Sequence, residues 1–267
     1  MNNQLKFALA QINPTVGDLE GNFRKIQDYL QKARDLRADV VVFPELAICG
    51  YPPEDLLFRE GFVRRAEEFI LSLAQETKDI IAIVGYPRLR EGKLYNSASV
   101  LTQQKLISVY DKHALPNYGV FDEKRYFAAG DKATIIEAKG IKLGITICED
   151  IWEPSPVAVT VKSGAQIIVN LNASPFHIRK ASERHAVIKA RCEEHPVPFV
   201  YVNTVGGQDE LVFDGRSMVT DKDGNILFQA PGFKESLDVV AFDGAQPQVD
   251  NKPISDVDMY ADTETPF

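Results

Sequence analysis

The sequence predicts an α/β chain built on a mixed β-sheet, or on two sheets packed face to face with helices outside. Three observations lead there. Short apolar runs alternate with amphipathic stretches through the first two thirds of the chain. Two strand-like runs, residues 94–102 and 105–111, follow one another with only a turn between. After residue 198 the pattern becomes strand-rich. "LKFALAQI" (5–12) reads as the first strand. Residues 22–37 follow as a helix, with Phe23, Ile26, Leu30, Ala33 and Leu36 at helical spacing and charges between them. "DVVVF" (39–43) is a continuous apolar run, as in a strand buried on both faces. A second helix fits 62–77, and a strand fits "DIIAIVGY" (79–86). "KLGITIC" (142–148) is a strand, a short helix follows Trp152, and "AQIIVNL" (165–171) and the helix 181–195 come next. "PFVYVN" (198–203), "LVFDGRSMVT" (211–220), "GNILFQA" (224–230) and "SLDVVAFD" (236–243) complete the set. Periodicity alone does not choose between one mixed sheet and two.

Composition narrows the function classes. With 267 residues, 45% of them hydrophobic, the chain can bury a substantial core. No apolar run reaches the ~18 residues that a membrane helix needs. "MNNQLKFALAQINP" lacks the charged-then-apolar layout of a secretory signal, so a cytoplasmic protein is expected. The three cysteines, Cys49, Cys148 and Cys192, do not make a disulfide framework. His113, His177, His185 and His195 fall in no metal-ligand spacing, so no metal is implied. A net charge of −8 without a basic block disfavours nucleic acid and anionic membrane as partners. From about residue 245 the sequence turns polar, acidic and aperiodic. The expected division is a domain over 1–245 and a tail or linker over 246–267.

Three chemistry-bearing side chains stand just past three strand ends. Glu45 follows the apolar run broken by Pro44, at a buried rim where desolvation raises a carboxylate's pKa. In "LISVYDKH" Lys112 stands at the end of a third strand. By the two-residue period Ile141, Leu143, Ile145 and Ile147 share one strand face, and Cys148 lies on the other with Gly144 and Thr146. Singly, each has an ordinary explanation: a capping acid, a solvated lysine, an inert buried cysteine. Together they form a complete set for acyl transfer. A free thiol, pKa about 8.5, needs a base to become a nucleophile, and an ammonium can stabilise an oxyanion. In open α/β sheets ligands collect outside the carboxyl ends of strands.

The segments "FPELAICGYP", "DKHALPNYGVFDEKRYF" and "GITICEDIW" resemble the glutamate, lysine and cysteine motifs of the nitrilase superfamily of carbon–nitrogen hydrolases. Their context narrows the match. "ALAQINPTVGDLEGN", "GYPPEDLL", "NLNASPFH" and "YVNTVGGQDELVFDG" look like the N-terminal glutaminase domain of glutamine-dependent NAD+ synthetases, a likeness running from about residue 7 to 243. The resemblance implies an α-β-β-α sandwich with its site at the strand ends. It casts Glu45 as general base, Lys112 as oxyanion stabiliser and Cys148 as nucleophile. Glu123 matches a second, supporting glutamate, whose plainer reading is a carboxylate at a helix start; Glu149 helps orient the site. Tyr118 matches a glutamine-binding tyrosine, and Ser174 and Lys180 fall where the substrate's amino-acid head is held, with Arg179 an alternative to Lys180. Tyr51 either lines the pocket or packs its loop.

The implied reaction is ammonia release from L-glutamine through a Cys148 thioester, with no cofactor. ATP and Mg would belong to a synthetase domain, in cis or in trans, whose Ser-Gly-Gly-x-Asp-Ser loop this sequence lacks. "VGGQDE" (205–210) has neither serine and runs into a strand-like "LVF" rather than a helix N-terminus. A homo-oligomer, dimer or larger, is also implied. The competing readings are a stand-alone amidase acting on another small amide, and an inactive docking module.

Overall fold

The computed structural model describes residues 4–249. In chain order these are β1 (Leu5–Gln11), α1 (Leu19–Asp35), β2 (Val40–Val42), α2 (Glu60–Ala74), β3 (Ile81–Arg90), β4 (Lys93–Thr102), β5 (Lys105–Asp111), β6 (Thr134–Ala138) and β7 (Ile141–Ile147). There follow α3 (Pro154–Lys162), β8 (Ile167–Asn172), α4 (Lys180–Glu194), β9 (Phe199–Asn203), β10 (Val205–Gln208), β11 (Leu211–Asp214), β12 (Met218–Thr220), β13 (Ile226–Gln229), β14 (Ser236–Asp243) and β15 (Gln246–Gln248).

Two mixed sheets form. The first is ordered β15-β14-β1-β2-β3-β4-β5, the second β13-β12-β9-β8-β7-β6. Each has a parallel centre, β1-β2-β3 in one and β7-β8-β9 in the other, flanked by antiparallel strands. Side-chain alternation on the central strands decides the layering. Leu5, Phe7 and Leu9 of β1 join Val40 and Val42 in a dry layer with Leu143, Ile145, Val169 and Val200 of the second sheet. Ala8 and Ala10 turn the other way, with Val41, toward Ile26 and Leu30 of α1 and Val63 and Ile70 of α2. On the far side Ile168, Phe199 and Tyr201 meet Val157 of α3 and Ile188 of α4. The result is the α-β-β-α sandwich, and a core of two faces per sheet explains the nearly continuous apolar runs. Helix starts are locally coded. The Asp18 carboxylate accepts from Gly21 N at 2.9 Å to cap α1, and Pro154 occupies the first turn of α3.

Four details differ from the sequence reading. β6 is a strand that the short "TIIEA" does not announce; it completes the edge beside β7. Residues 211–220 are two strands: positive φ at Gly215 (67°) and Arg216 (53°) breaks the run, and β11 pairs with β10 in a separate hairpin while β12 joins the second sheet. Residues 205–208, the glycine pair included, are therefore hairpin strand. β15 pairs with β14 through Ala241–Gln248, Phe242–Pro247 and Asp243–Gln246, so the sheet extends into the segment expected as tail from 246. The rest of that tail, from 250, lies outside the described residues. Among the described residues no helix is long and apolar enough to cross a membrane.

Candidate active site

β5 runs in the same sense as β2 and β3, because two antiparallel steps separate it from β3. The carboxyl ends of β2 and β5 thus share one end of the first sheet. Bonds between sheets show that the ends of β1 and β9 meet there too. Thr204 Oγ1 and Val205 N donate to Ile12 O at 3.0 and 3.1 Å, and Ser217 N and Oγ both donate to Gln11 Oε1 at 2.9 Å.

Glu45 is held by close backbone contact. A Cβ on Gly85 of β3 would meet Leu46 N at 2.4 Å and Pro44 O at 2.5 Å, so only glycine lets the Glu45 turn lie against that strand. Its carboxylate is fully enclosed. Oε1 accepts from Asn96 Nδ2 and from Lys112 Nζ, each at 2.7 Å. Oε2 accepts from Ala173 N at 2.9 Å, across the gap to the loop after β8. Lys112 is fixed through its own backbone, Lys112 N donating to Asn96 O and Lys112 O accepting from Gly130 N, both at 2.8 Å. Its ammonium also donates to Glu123 Oε1 and Oε2 at 2.9 Å. Tyr51 Oη donates to Glu123 Oε1 at 2.9 Å, which ties the Tyr51 loop to the same line. Glu123 does open a short 3-10 turn, but its side chain faces Lys112 rather than the turn's amides.

The electrostatics follow from burial. Burial pushes the Glu123 carboxyl from 4.5 up to about 7, with Lys112 pulling it down and Glu45 pushing it further up. Burial presses the Lys112 ammonium down, yet Glu123 and Glu45 together hold it well above its ordinary value. Lys112 is therefore a permanent cation at neutral pH.

Cys148 reaches the same place from the second sheet, by a route the strand period does not give. β7 stops at Ile147, and Cys148 starts a 3-10 turn with φ at 43°, in the left-handed region that a non-glycine residue enters only under strain. The turn swings the side chain off the Gly144/Thr146 face. Cys148 joins Ile145, Ile147 and Tyr110 in the layer between the sheets, while the space over Gly144 is filled by Thr160 and Ala165. Burial pushes the thiol well above its usual range; Glu45 adds to the rise and Lys112 opposes it. Among the charged groups, Glu45 and Lys112 act on the thiol most strongly.

The rim is built differently. Tyr118 is 58% exposed, and its Oη donates to both Glu149 oxygens at 2.9 and 3.0 Å. Burial raises the Glu149 carboxyl, and the Tyr118 bond lowers it. A surface hollow bounded by His113, Pro116, Tyr118, Glu149 and Glu153 opens beside this pair. Ser174 is buried after β8: its N donates to Asn203 Oδ1 at 2.9 Å, and Arg184 donates to Ser174 Oγ at 3.0 Å and to Ser174 O at 2.7 Å. Lys180, the first residue of α4, lays its ammonium 4.1 Å over the Trp152 ring and 3.6 Å from Glu183. Arg179 is exposed, with φ at 73°. Asn96, the Ala173 N–H, Asp150 and Arg184 belong to this constellation and carry no motif of their own. Among the described residues no group of three or more His, Cys, Asp or Glu is arranged to hold a metal ion.

The model of one protein family, "Carbon-nitrogen hydrolase", matches residues 6–248, a span that contains the glutamate, the lysine and the cysteine. The chain belongs to that family. Carbon–nitrogen hydrolase relatives named glutamine-dependent NAD+ synthetase include one from Xanthomonas campestris, 43% identical over 242 residues, and one from Aquifex aeolicus, 44% identical over 242 residues. These alignments cover 89% and 90% of this chain but 44% and 42% of the relatives, so the chain spans under half of their length. The structure of the Acinetobacter baumannii glutamine-dependent NAD+ synthetase in complex with ADP superposes with a TM-score of 0.90 at 39% identity, over 94% of this chain and 48% of that one. A mutant of the Nesterenkonia AN1 amidase, from the nitrilase superfamily, superposes with a TM-score of 0.80 at 25% identity, over 89% and 90% of the two chains.

Proposed function

We propose that this carbon–nitrogen hydrolase is a glutaminase module, releasing ammonia from L-glutamine for a glutamine-dependent NAD+ synthetase. One observation supports it above others: the Glu45 carboxylate, bridged to Lys112 and to Ala173 N, stands between the two sheets at the strand end where Cys148 turns inward. Relatives at 43–44% identity carrying that name support the substrate.

The roles follow from charge. Glu45 takes the Cys148 proton as sulfur attacks the side-chain amide carbon, and the carbonyl electrons move onto oxygen. Lys112 offsets the negative charge there; a lost oxyanion donor commonly costs about 3 kcal/mol. Collapse breaks the C–N bond, and nitrogen leaves as ammonia with the proton held by Glu45. The γ-glutamyl thioester is then attacked by water, whose proton passes to Glu45 and on to the departing sulfur, freeing glutamate. Glu123 and Tyr51 hold Lys112. Tyr118, Ser174 and Lys180 receive the amino-acid head, and Glu149 lies beside them. The half-reaction needs no cofactor; ATP and Mg serve the synthetase domain, reached in cis or in trans in the cytoplasm. The module assembles as a homo-oligomer, dimer or larger.

Ammonia release from glutamine, asparagine, other ω-amides and carbamoyl compounds tests the reading. Glutamine is expected to have the highest kcat/KM, and Cys148→Ala to abolish turnover while the fold persists. A better substrate among the other amides would make this a stand-alone amidase. Turnover surviving Cys148→Ala would require another nucleophile.

A further inference from the structure

The sequence "CED" carries a second acidic residue, which the mechanism leaves unused. Asp150 is completely buried, two positions beyond the nucleophile. Its carboxylate is filled by four donors. Oδ1 accepts from His113 N at 3.1 Å and Ala114 N at 2.8 Å; Oδ2 accepts from Ile147 N and from Tyr110 Oη, both at 2.8 Å. These partners lie in two groups. Ile147 directly precedes Cys148 on the second sheet. Tyr110, His113 and Ala114 bracket Lys112 on the first. The backbone around the nucleophile and the backbone around the ammonium are therefore joined through one carboxylate. A carboxylate is acceptor-only, with about four lone-pair sites, so it can satisfy all four donors; an amide or a protonated acid cannot.

We infer that Asp150 is a positioning residue, a clamp that sets the separation between Cys148 and Lys112. It touches neither substrate nor reacting atom. Beside its bond to Lys112, Glu45 has an anchor on the second sheet's side in Ala173 N and a further one in Asn96, so loosening the clamp separates the thiol from the ammonium more than from the base. The role rests on Cys148 being the nucleophile of the proposed glutaminase.

The test uses the full chain and two readouts: kcat and KM for glutamine, and the pH-dependent rate of Cys148 alkylation by iodoacetamide, followed by mass spectrometry of its peptide. In Asp150→Asn the new NH2 faces two donors. Expected are a kcat lower by about 10²-fold, as for a misplacement of about 1 Å, a nearly unchanged KM, and slower alkylation with its pH profile moved upward, because Lys112 opposes the burial of the thiol less. A folded variant with wild-type alkylation rate and profile overturns the inference. If Asp150→Asn does not fold, Tyr110→Phe decides: it removes one donor of four and is expected to slow alkylation about threefold, the effect of one modest hydrogen bond, whereas a wild-type rate overturns the clamp. A wild-type protein that releases no ammonia from glutamine refutes the glutaminase reading alone, since the alkylation comparison needs no substrate.

Discussion

The two sheets contribute opposite kinds of chemistry to one gap. On the first, Glu45, Asn96, Lys112, Glu123 and Tyr51 form an unbroken line of side-chain hydrogen bonds, every link 2.7–2.9 Å. On the second, Cys148 brings a neutral thiol on a strained backbone. The difference comes from what burial permits. A carboxylate and an ammonium can be buried together because each compensates the other, so the acid–base half is finished when the chain folds. A thiolate in the same space would add an anion to those of Glu45 and Glu123, both of which push the thiol up. On the proposed mechanism its formation waits for the moment of attack, when the proton has a destination and the developing charge moves onto oxygen.

Removing the cation should break this division most severely. Lys112→Met leaves two buried carboxylates facing each other and deletes the charge beside the oxyanion. We expect kcat to fall by about 10²–10³-fold from the lost oxyanion donor alone, and stability to drop by about 3–5 kcal/mol, as when one partner of a buried pair is removed. Steady-state ammonia release and urea unfolding measure the two losses. Retention of wild-type kcat in the methionine variant would mean that the first sheet is scaffold and that the second carries the chemistry.

A smaller effect is expected at the rim, where the exposed Tyr118 over a buried Glu149 replaces the sealed line. Tyr118→Phe takes from Glu149 the donor that reaches both its oxygens, at the mouth of the hollow rather than at the sulfur. With substrate binding as its role, KM for glutamine should rise about three- to tenfold, the worth of one hydrogen bond to a charged group, and kcat should change less. A fall in kcat with KM fixed would move Tyr118 from the recognition side to the chemistry.

The same division governs what could be read from sequence. Glu45, Lys112 and Cys148 each stand at or just past the end of a strand-like run, so strand ends and residue chemistry singled them out. A layered α/β organisation was legible because strands buried on both faces leave long apolar runs, but the choice of two facing sheets over one came from the family resemblance. What the period could not supply was direction: Cys148 faces the inter-sheet layer because φ turns positive one residue beyond Ile147. Nor could it supply partners distant in the chain. Ala173 N reaches Glu45 across 128 positions, and Asp150 reaches back 36 to Ala114. β6 and β15 were missed for a simpler reason. Five and three residues at sheet edges are too short to show a pattern, and their pairing depends on β7 and β14.

The gentlest probe separates the two sheets by pH. Burial lifts the Glu123 carboxyl from 4.5 to about 7, so the folded state holds that proton more tightly than the unfolded chain does. Its contribution to stability is fully present below the ordinary carboxylate value and is lost as pH rises through about 7. The Cys148 thiol is also raised by burial, but an unfolded thiol titrates near 8.5, so its contribution is lost only at higher pH. Thermal unfolding of the wild type should therefore show Tm declining as pH rises from about 4.5 to about 7 for the first-sheet carboxyl, and again in alkaline solution for the buried thiols, Cys148 among them. Glu123→Gln keeps a carbonyl oxygen for Lys112 and Tyr51 but has no proton to lose. Its Tm should fall less across that range and follow the wild type above it, while Cys148→Ala should lessen the alkaline decline, to which the buried Cys49 and Cys192 thiols also contribute, and leave the one below pH 7. If Glu123→Gln keeps the full decline below pH 7, another group holds that proton, and the charged line on the first sheet is arranged differently at neutral pH from the one its hydrogen bonds describe.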